Sequence, residues 1–236
     1  MSSRVFAIVT ARDEADRIGA TLEALARAFP GAPVFVGDDG SLDGTAEIAE
    51  RAGAIVVRSE HALGKGGAAT LAARRALEHI GSQAADMVAV LCDGDLGSSA
   101  QRLGSLVETV QRGEADLAVA IFARRVGGGV GLVVGFARWA IRRSCGLEVR
   151  APISGQRAMR VATLEDVLPF APGFGMELAM TIDAARAGHR VLEVELELEH
   201  RATGRTPAGF AHRARQLVDC LRAYTKRRGF RLPKRL

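Results

Sequence analysis

The sequence predicts a single α/β domain built on a mostly parallel central sheet with helices on both faces. Three observations carry this expectation. Short apolar runs alternate with amphipathic segments of helical period along the chain. The 236 residues suffice for one large buried core and are few for two. Hydrophobic residues at 48% against charged residues at 25% are ordinary globular usage, far from the profile of disorder.

The elements follow in order. VFAIV (5–9) reads as a first strand, and DEADRIGATLEALARAF (13–29) as an amphipathic helix with Ile18, Leu22 and Leu25 at three- and four-residue spacing. PVFVG (33–37) is a second strand, and Asp43 caps the helix TAEIAERAG, which stops at Gly53. AIVV (54–57) is a third strand and GGAATLAARRALEHI (66–80) the next helix; MVAVL (87–91) is a fourth strand, followed by a helix over 99–111 and a strand over 116–122. Strands and helices of these lengths imply right-handed crossovers in a doubly covered sheet. Beyond residue 122 the pattern loosens. VGGGVGLVVGFARWAI (126–141) reads as a glycine-rich loop leading into a partly buried helix, too short and too charged at Arg138 to span a bilayer. Its flanking arginines, 124–125 and 142–143, also suit contact with a membrane surface. APISGQRAMRV (151–161) looks extended, GFGMELAMTIDAARAG (173–188) helical with Glu177 in the first turn, HRVLEVELELEH (189–200) a strand, and 207–228 an arginine-rich terminal helix.

Composition narrows the function classes. A formal charge of +5, almost all from arginine, suits anionic partners: sugar nucleotides, phosphorylated acceptors, anionic lipid or nucleic acid. Cys92, Cys145 and Cys220 are scattered without a CxxC, which points to neither a disulfide framework nor a zinc site and agrees with a reducing cytoplasm. The opening MSSRVFAIVTARDE reaches charge after a six-residue apolar run, so it reads as a strand and not as a signal peptide.

Ligands of such sheets collect at the carboxyl ends of strands. There the chain puts Thr10 to Glu14, then Asp38 and Asp39, then Asp93 and Asp95. Carboxylates gathered this way repel one another and demand a counter-charge. CDGDLGSS supplies two aspartates one residue apart, able to present oxygens to a divalent ion and to a ribose, with Gly94 permitting close backbone approach. Alone, such a DxD is more often a solvated turn; beside GDDGSLDGT and GKGGA it is far more specific.

VFAIVTARDEADRIGATLEAL, VGDDGSLDGTAEIAERAGAIVV, GKGGAATLAARRAL and LCDGDLGSS, in this order and spacing, resemble the nucleotide-sugar-binding half of family 2 glycosyltransferases with the GT-A fold. Residues 4–100 carry the resemblance, which extends to glucosyl-3-phosphoglycerate synthases and polyprenyl-phosphate glycosyltransferases. It implies a Mg²⁺- or Mn²⁺-dependent enzyme that moves one hexosyl unit from a UDP- or GDP-sugar to an acceptor. It divides the domain into a nucleotide-sugar-binding half (1–122), an acceptor half (123–205) and a basic helix and tail (206–236). By the same resemblance Thr10, Ala11, Arg12 and Glu14 line the nucleotide pocket, with Glu14 near the ribose or base. Asp39 hydrogen-bonds the base, Asp38 helps to fix the turn and bind the donor, and Lys65 reaches a phosphate. Asp93 and Asp95 stand at the metal, Asp95 the direct ligand. Glu177 is a general base or an acceptor-binding group, the plain alternative being a first-turn carboxylate favoured by the helix dipole. His200 completes the metal shell, and Arg201 and Arg205 grip the diphosphate.

The processive-synthase motifs GxxxER and QxxRW are absent, which favours a single transfer, and the loop 124–150 matches nothing that would name the acceptor. A phosphorylated small molecule and a polyprenyl phosphate both stay open, as do a homodimer and peripheral membrane contact. The rival enzyme, a sugar-phosphate nucleotidyltransferase, should open on a glycine-rich loop where VTARDEADRI stands. A non-enzymatic basic module could use Arg213, Arg215, Arg222, Lys226, Arg227 and Arg228 on nucleic acid or a membrane; aromatics at 5% leave little for base stacking, which disfavours nucleic acid.

Overall fold

The computed structural model describes residues 4–123, 131–198 and 207–228. Among these, seven strands form one sheet in the order β3-β2-β1-β4-β6-β5-β7. The strands are β1 (Val5–Ala11), β2 (Val34–Asp38), β3 (Ile55–Arg58), β4 (Val88–Asp93), β5 (Leu117–Phe122), β6 (Arg157–Arg160) and β7 (Val191–Leu196). Neighbours pair in parallel except at β6, which runs antiparallel to both β4 and β5. The helices are α1 (Ile18–Ala28), α2 (Thr45–Arg51), α3 (Lys65–Ile80), α4 (Gly104–Gln111), α5 (Leu132–Cys145), α6 (Val161–Val167), α7 (Met176–Arg186) and α8 (Pro207–Arg227).

The period-2 alternation of β1 shows how the layers arise. Val5, Ala7, Val9 and Ala11 enter the core beneath α1, α2 and α4, whereas Phe6 and Ile8 enter the opposite one beneath α3, α6 and α7. On the α3 side the helix buries Ala69, Ala72, Ala73 and Ala76, small side chains that let it lie close to the sheet, with Leu77 and Ile80 partly buried at its end. Closeness also demands glycines: a Cβ on Gly37 would come within 2.5 Å of the Ala68 carbonyl oxygen, and one on Gly66 within 1.8 Å of that of Ala171. A third apolar cluster lies outside the sandwich, where α5, α7 and α8 meet through Val133, Ile141, Leu178, Ile182, Cys220 and Tyr224.

Several boundaries differ from the sequence reading for local reasons. The first helix starts at Ile18 and not at residue 13. Asp13 has φ of 53°, and the amides of Asp13, Glu14 and Ala15 donate to Ser41 Oγ, Thr45 Oγ1 and Asp43 Oδ2 at 2.9–3.0 Å instead of to a helical ladder. The predicted helix 99–111 is a 3₁₀ stretch, Gly97–Leu103, that leads into α4. Of the extended stretch 151–161 only β6 forms a strand, and α6 follows it where no helix was expected. The strand expected over 189–200 is described as β7, and residues 199–200 lie outside the described residues. The terminal helix is not a free basic rod, because Cys220, Ala223 and Tyr224 are buried in the third cluster.

Candidate active site

The carboxyl ends of β1, β2 and β4 bring the three acidic clusters to one edge of the sheet. Residue 10 pairs with 93, and residue 11 with 38, in the strand register. The counter-charge is Lys65, the first residue of α3. Its Nζ lies 2.6 Å from Asp93 Oδ1 and 2.7 Å from Glu177 Oε1, so one ammonium links a strand-end aspartate to a glutamate in the first turn of α7. Glu177 is 3% exposed. Burial works against the charge on Lys65, but Asp93 and Glu177 outweigh it and raise its pKa above the ordinary lysine range. Burial likewise penalises the Asp93 carboxylate, and Lys65, Gln156 and Thr10 together hold it below the usual range.

Asp93 is enclosed. Oδ1 also accepts from Thr10 Oγ1 at 3.3 Å, and Oδ2 accepts from Gln156 Nε2 at 2.9 Å. Gln156 belongs to the irregular segment Ser154–Gly155–Gln156 that leads into β6, within a stretch that the sequence reads as extended. Gly155 leaves the room that the Lys65–Asp93 pair fills. Arg157, the first residue of β6, is fully buried; its Nε donates to the Ser154 carbonyl at 2.9 Å and its Nη1 to Thr181 Oγ1 at 3.0 Å, tying this segment to α7 one helical turn beyond Glu177. Burial pushes the Arg157 pKa down to about 10, against the opposing pull of Glu177 and Glu193. The signal that could have found this segment is Gln156 and Arg157 at the start of a short apolar strand, polar side chains that need polar partners if they are buried.

The paired aspartates after β2 divide their work. Asp38 is fully buried; it accepts from the amide and hydroxyl of Ser41 and pairs with Arg58 Nε at 3.4 Å, so it shapes the turn. Asp39 accepts from the amides of Leu63 at 2.6 Å and Gly64 at 3.0 Å and lies 3.6 Å from Arg12 Nη1. It thereby fastens the segment that begins α3 and delivers Lys65. The Ala11 carbonyl accepts from the Asp39 amide at 3.0 Å, and the Glu14 amide donates to Thr45, so residues 10–14 are laced to the same turn. The glycines of GKGG are used within the protein: Gly66 meets the Ala171 carbonyl and Gly67 the Leu63 side chain.

Asp95 is half-buried in the turn after β4, and its carbonyl accepts from Arg17 Nη1 at 3.3 Å. Carboxylate oxygens suit Mg²⁺ or Mn²⁺. Among the described residues no three His, Cys, Asp or Glu side chains gather into a cage, and Asp93 already has Lys65 as its cation. Magnesium is commonly held by one or two carboxylates with the rest of its shell from substrate phosphates and water, so a pair of strand-end aspartates is compatible with such an ion without a full protein cage. His200, Arg201 and Arg205 lie outside the described residues.

The family model described as glycosyl transferase family 2 matches residues 6–166. An undecaprenyl-phosphate mannosyltransferase of Micrococcus luteus is 32% identical over 218 residues, covering 85% of this chain and 86% of that protein. The glucosyl-3-phosphoglycerate synthase of Mycobacterium tuberculosis, crystallised with phosphoglyceric acid, superposes with a TM-score of 0.73 at 25% identity, covering 98% of this chain and 81% of that one. The same synthase with Mn²⁺, uridine diphosphate and phosphoglyceric acid gives 0.73 at 26% identity, covering 94% and 78%. With the family model spanning both the acidic strand ends and β6, the chain belongs to glycosyl transferase family 2 and has the GT-A fold.

Proposed function

We propose that this glycosyltransferase moves a single hexosyl unit from a nucleoside-diphosphate sugar to an acceptor that carries a phosphate, with Mg²⁺ or Mn²⁺ as cofactor. The observation that carries the reading is the Lys65 ammonium bridging Asp93 and Glu177, a largely buried link between the donor-side strand ends and helix α7 of the acceptor half. The phosphate on the acceptor is supported by what two kinds of relative share in their names, an undecaprenyl phosphate in one and a phosphoglycerate in the other.

In the transfer the bond between the sugar's anomeric carbon and the diphosphate breaks as an acceptor oxygen attacks that carbon, and negative charge grows on the departing diphosphate. A divalent cation at Asp95, when bound, offsets that charge. Asp39, Arg12 and the 10–14 segment shape the nucleotide end of the cleft, and Asp93 keeps Lys65 in place. Glu177 has one oxygen committed to Lys65, which supports a positioning role for it across the two halves; a base for an acceptor hydroxyl is the second reading, favoured by its burial at the start of α7.

The test is acceptor-free hydrolysis of UDP- and GDP-sugars with Mg²⁺ or Mn²⁺. Hydrolysis that EDTA removes and added metal restores is expected. Asp95→Ala should lower it at least 100-fold while keeping the wild-type unfolding midpoint. Undiminished turnover in that variant sinks the metal assignment, and no hydrolysis of any nucleotide sugar, with no thermal stabilisation by UDP or GDP, sinks the donor class.

A further inference from the structure

Helices α5 and α8 pack against each other and against α7, and their outward sides carry an unusual surface. Seven large hydrophobic side chains are strongly exposed among the described residues, and four of them lie on these two helices: Leu132 at 70%, Trp139 at 52%, Val218 at 42% and Leu221 at 40%. Trp139 stands where the helices meet, its ring 5.2 Å from Tyr224 on α8 and 5.8 Å from Phe136 on its own helix. Around these side chains Arg138, Arg142, Arg143, Arg215, Arg222 and Lys226 are exposed. The described acidic side chain of the two helices is Asp219, mostly buried and engaged with the Phe174 amide and Arg222.

We infer that the α5–α8 face docks on an anionic lipid bilayer. A tryptophan and aliphatic side chains set among arginines match the interface of such a bilayer, where indole rings settle at headgroup depth and each arginine gains from the negative surface potential. Nucleic acid has no use for exposed Leu132, Val218 and Leu221, because its contacts are with phosphates and base edges. A second copy docked by a two-fold axis would set this arginine-rich patch against itself. Among the described residues no helix is long and apolar enough to cross a membrane, so the contact is from the surface.

The placement has a consequence for the site. Asp219 of α8 accepts from the amide of Phe174 at 3.2 Å, in the Gly173–Gly175 turn that leads directly into α7 and Glu177. The docked face is therefore coupled to the acceptor side of the cleft, and an acceptor phosphate held at the headgroup level meets the enzyme there. This last step rests on the hexosyl-transfer reading; the docking itself does not.

Trp139 is the chain's single tryptophan, so its emission reports the contact directly. Titration with phosphatidylcholine vesicles containing 30% phosphatidylglycerol should shift the emission to the blue. Pure phosphatidylcholine should bind at least tenfold more weakly, and 0.5 M NaCl should weaken the anionic case by a similar factor. In vesicle pelleting, the double variant Leu132→Ser, Leu221→Ser should bind at least fivefold less while hydrolysing the donor at the wild-type rate. Absence of a shift, or equal binding to both vesicle types, overturns the proposal. So does a stable dimer in solution that the double variant dissolves, which would assign the face to a second copy. Loss of donor hydrolysis in the wild type, by contrast, touches only the transfer reading.

Discussion

Gly155 is the position where a single methyl group should matter most. An added Cβ would lie 2.6 Å from Lys65 Nζ and 2.7 Å from Asp93 Oδ2. The end of a lysine usually swings aside at little cost, but here Asp93 and Glu177 pin it from two sides. Gly155→Ala must therefore push the ammonium off one carboxylate. The expected result is at least a tenfold loss in kcat/KM for the donor, about 1.4 kcal/mol of transition-state stabilisation. Gly135, with nothing within 4 Å of its added Cβ, is the control, and Gly135→Ala should leave the rate unchanged. Steady-state donor hydrolysis by the two variants decides it; equal rates would mean that the Lys65 bridge is incidental to turnover. At this scale the sequence shows where carboxylates follow an apolar strand, as at Asp93 and Asp95, but not that Asp93 pairs with Lys65. It was silent on Gln156 and Arg157, because their meaning lies in register with β4, where Leu91 stands opposite Arg157, and in contacts with residues 63 and 24 positions away.

Among the elements, β5, β6 and β7 depend on one side chain. Asp116, just before β5, accepts from the Arg190 amide at 2.8 Å and pairs with Arg160 Nε at 3.2 Å, joining the start of β7 and the end of β6. Burial opposes its charge, but the hydrogen bonds from Arg190 and the charges of Arg190 and Arg160 hold its pKa below the ordinary carboxylate value. A depressed carboxylate contributes stability that is present above its unfolded pKa, about 3.9, and is lost as pH falls through the lower folded value. Asp116→Asn should accordingly lower the Tm at pH 7, and the gap to wild type should narrow steadily below about pH 4. Thermal melts from pH 7 to pH 2.5 read this, and a gap independent of pH would place the effect in packing and not in charge. These elements also mark where pattern reading fails. Strands buried on both faces read as plain apolar runs, as β1 and β4 do, and the edge strand β3 shows by its β-branched residues alone. RAMR of β6 is short and begins and ends in arginine, one side chain fully buried and one exposed, and no periodicity shows in four residues.

At the scale of the whole molecule, α8 is joined to α5 and α7 through buried side chains. Tyr224 is 6% exposed and stacks edge-on against Phe136 at 6.0 Å, while Arg227 pairs with Asp183 of α7, its Nε 2.8 Å from each oxygen. Truncating a buried aromatic side chain costs about 3–5 kcal/mol, a large share of the roughly 5–15 kcal/mol that holds a domain folded. Tyr224→Ala should therefore lower the urea unfolding free energy by about 3 kcal/mol. Trp139→Ser, on the exposed side of the same aromatic group, should change it by less than about 1 kcal/mol while removing the membrane contact. The pair separates two roles that one patch combines: the inner face of α8 holds α7 in place, and the outer face meets the lipid. Near-equal, small effects of both substitutions would make α8 an appendage, and the Asp219–Phe174 link could then no longer couple docking to Glu177.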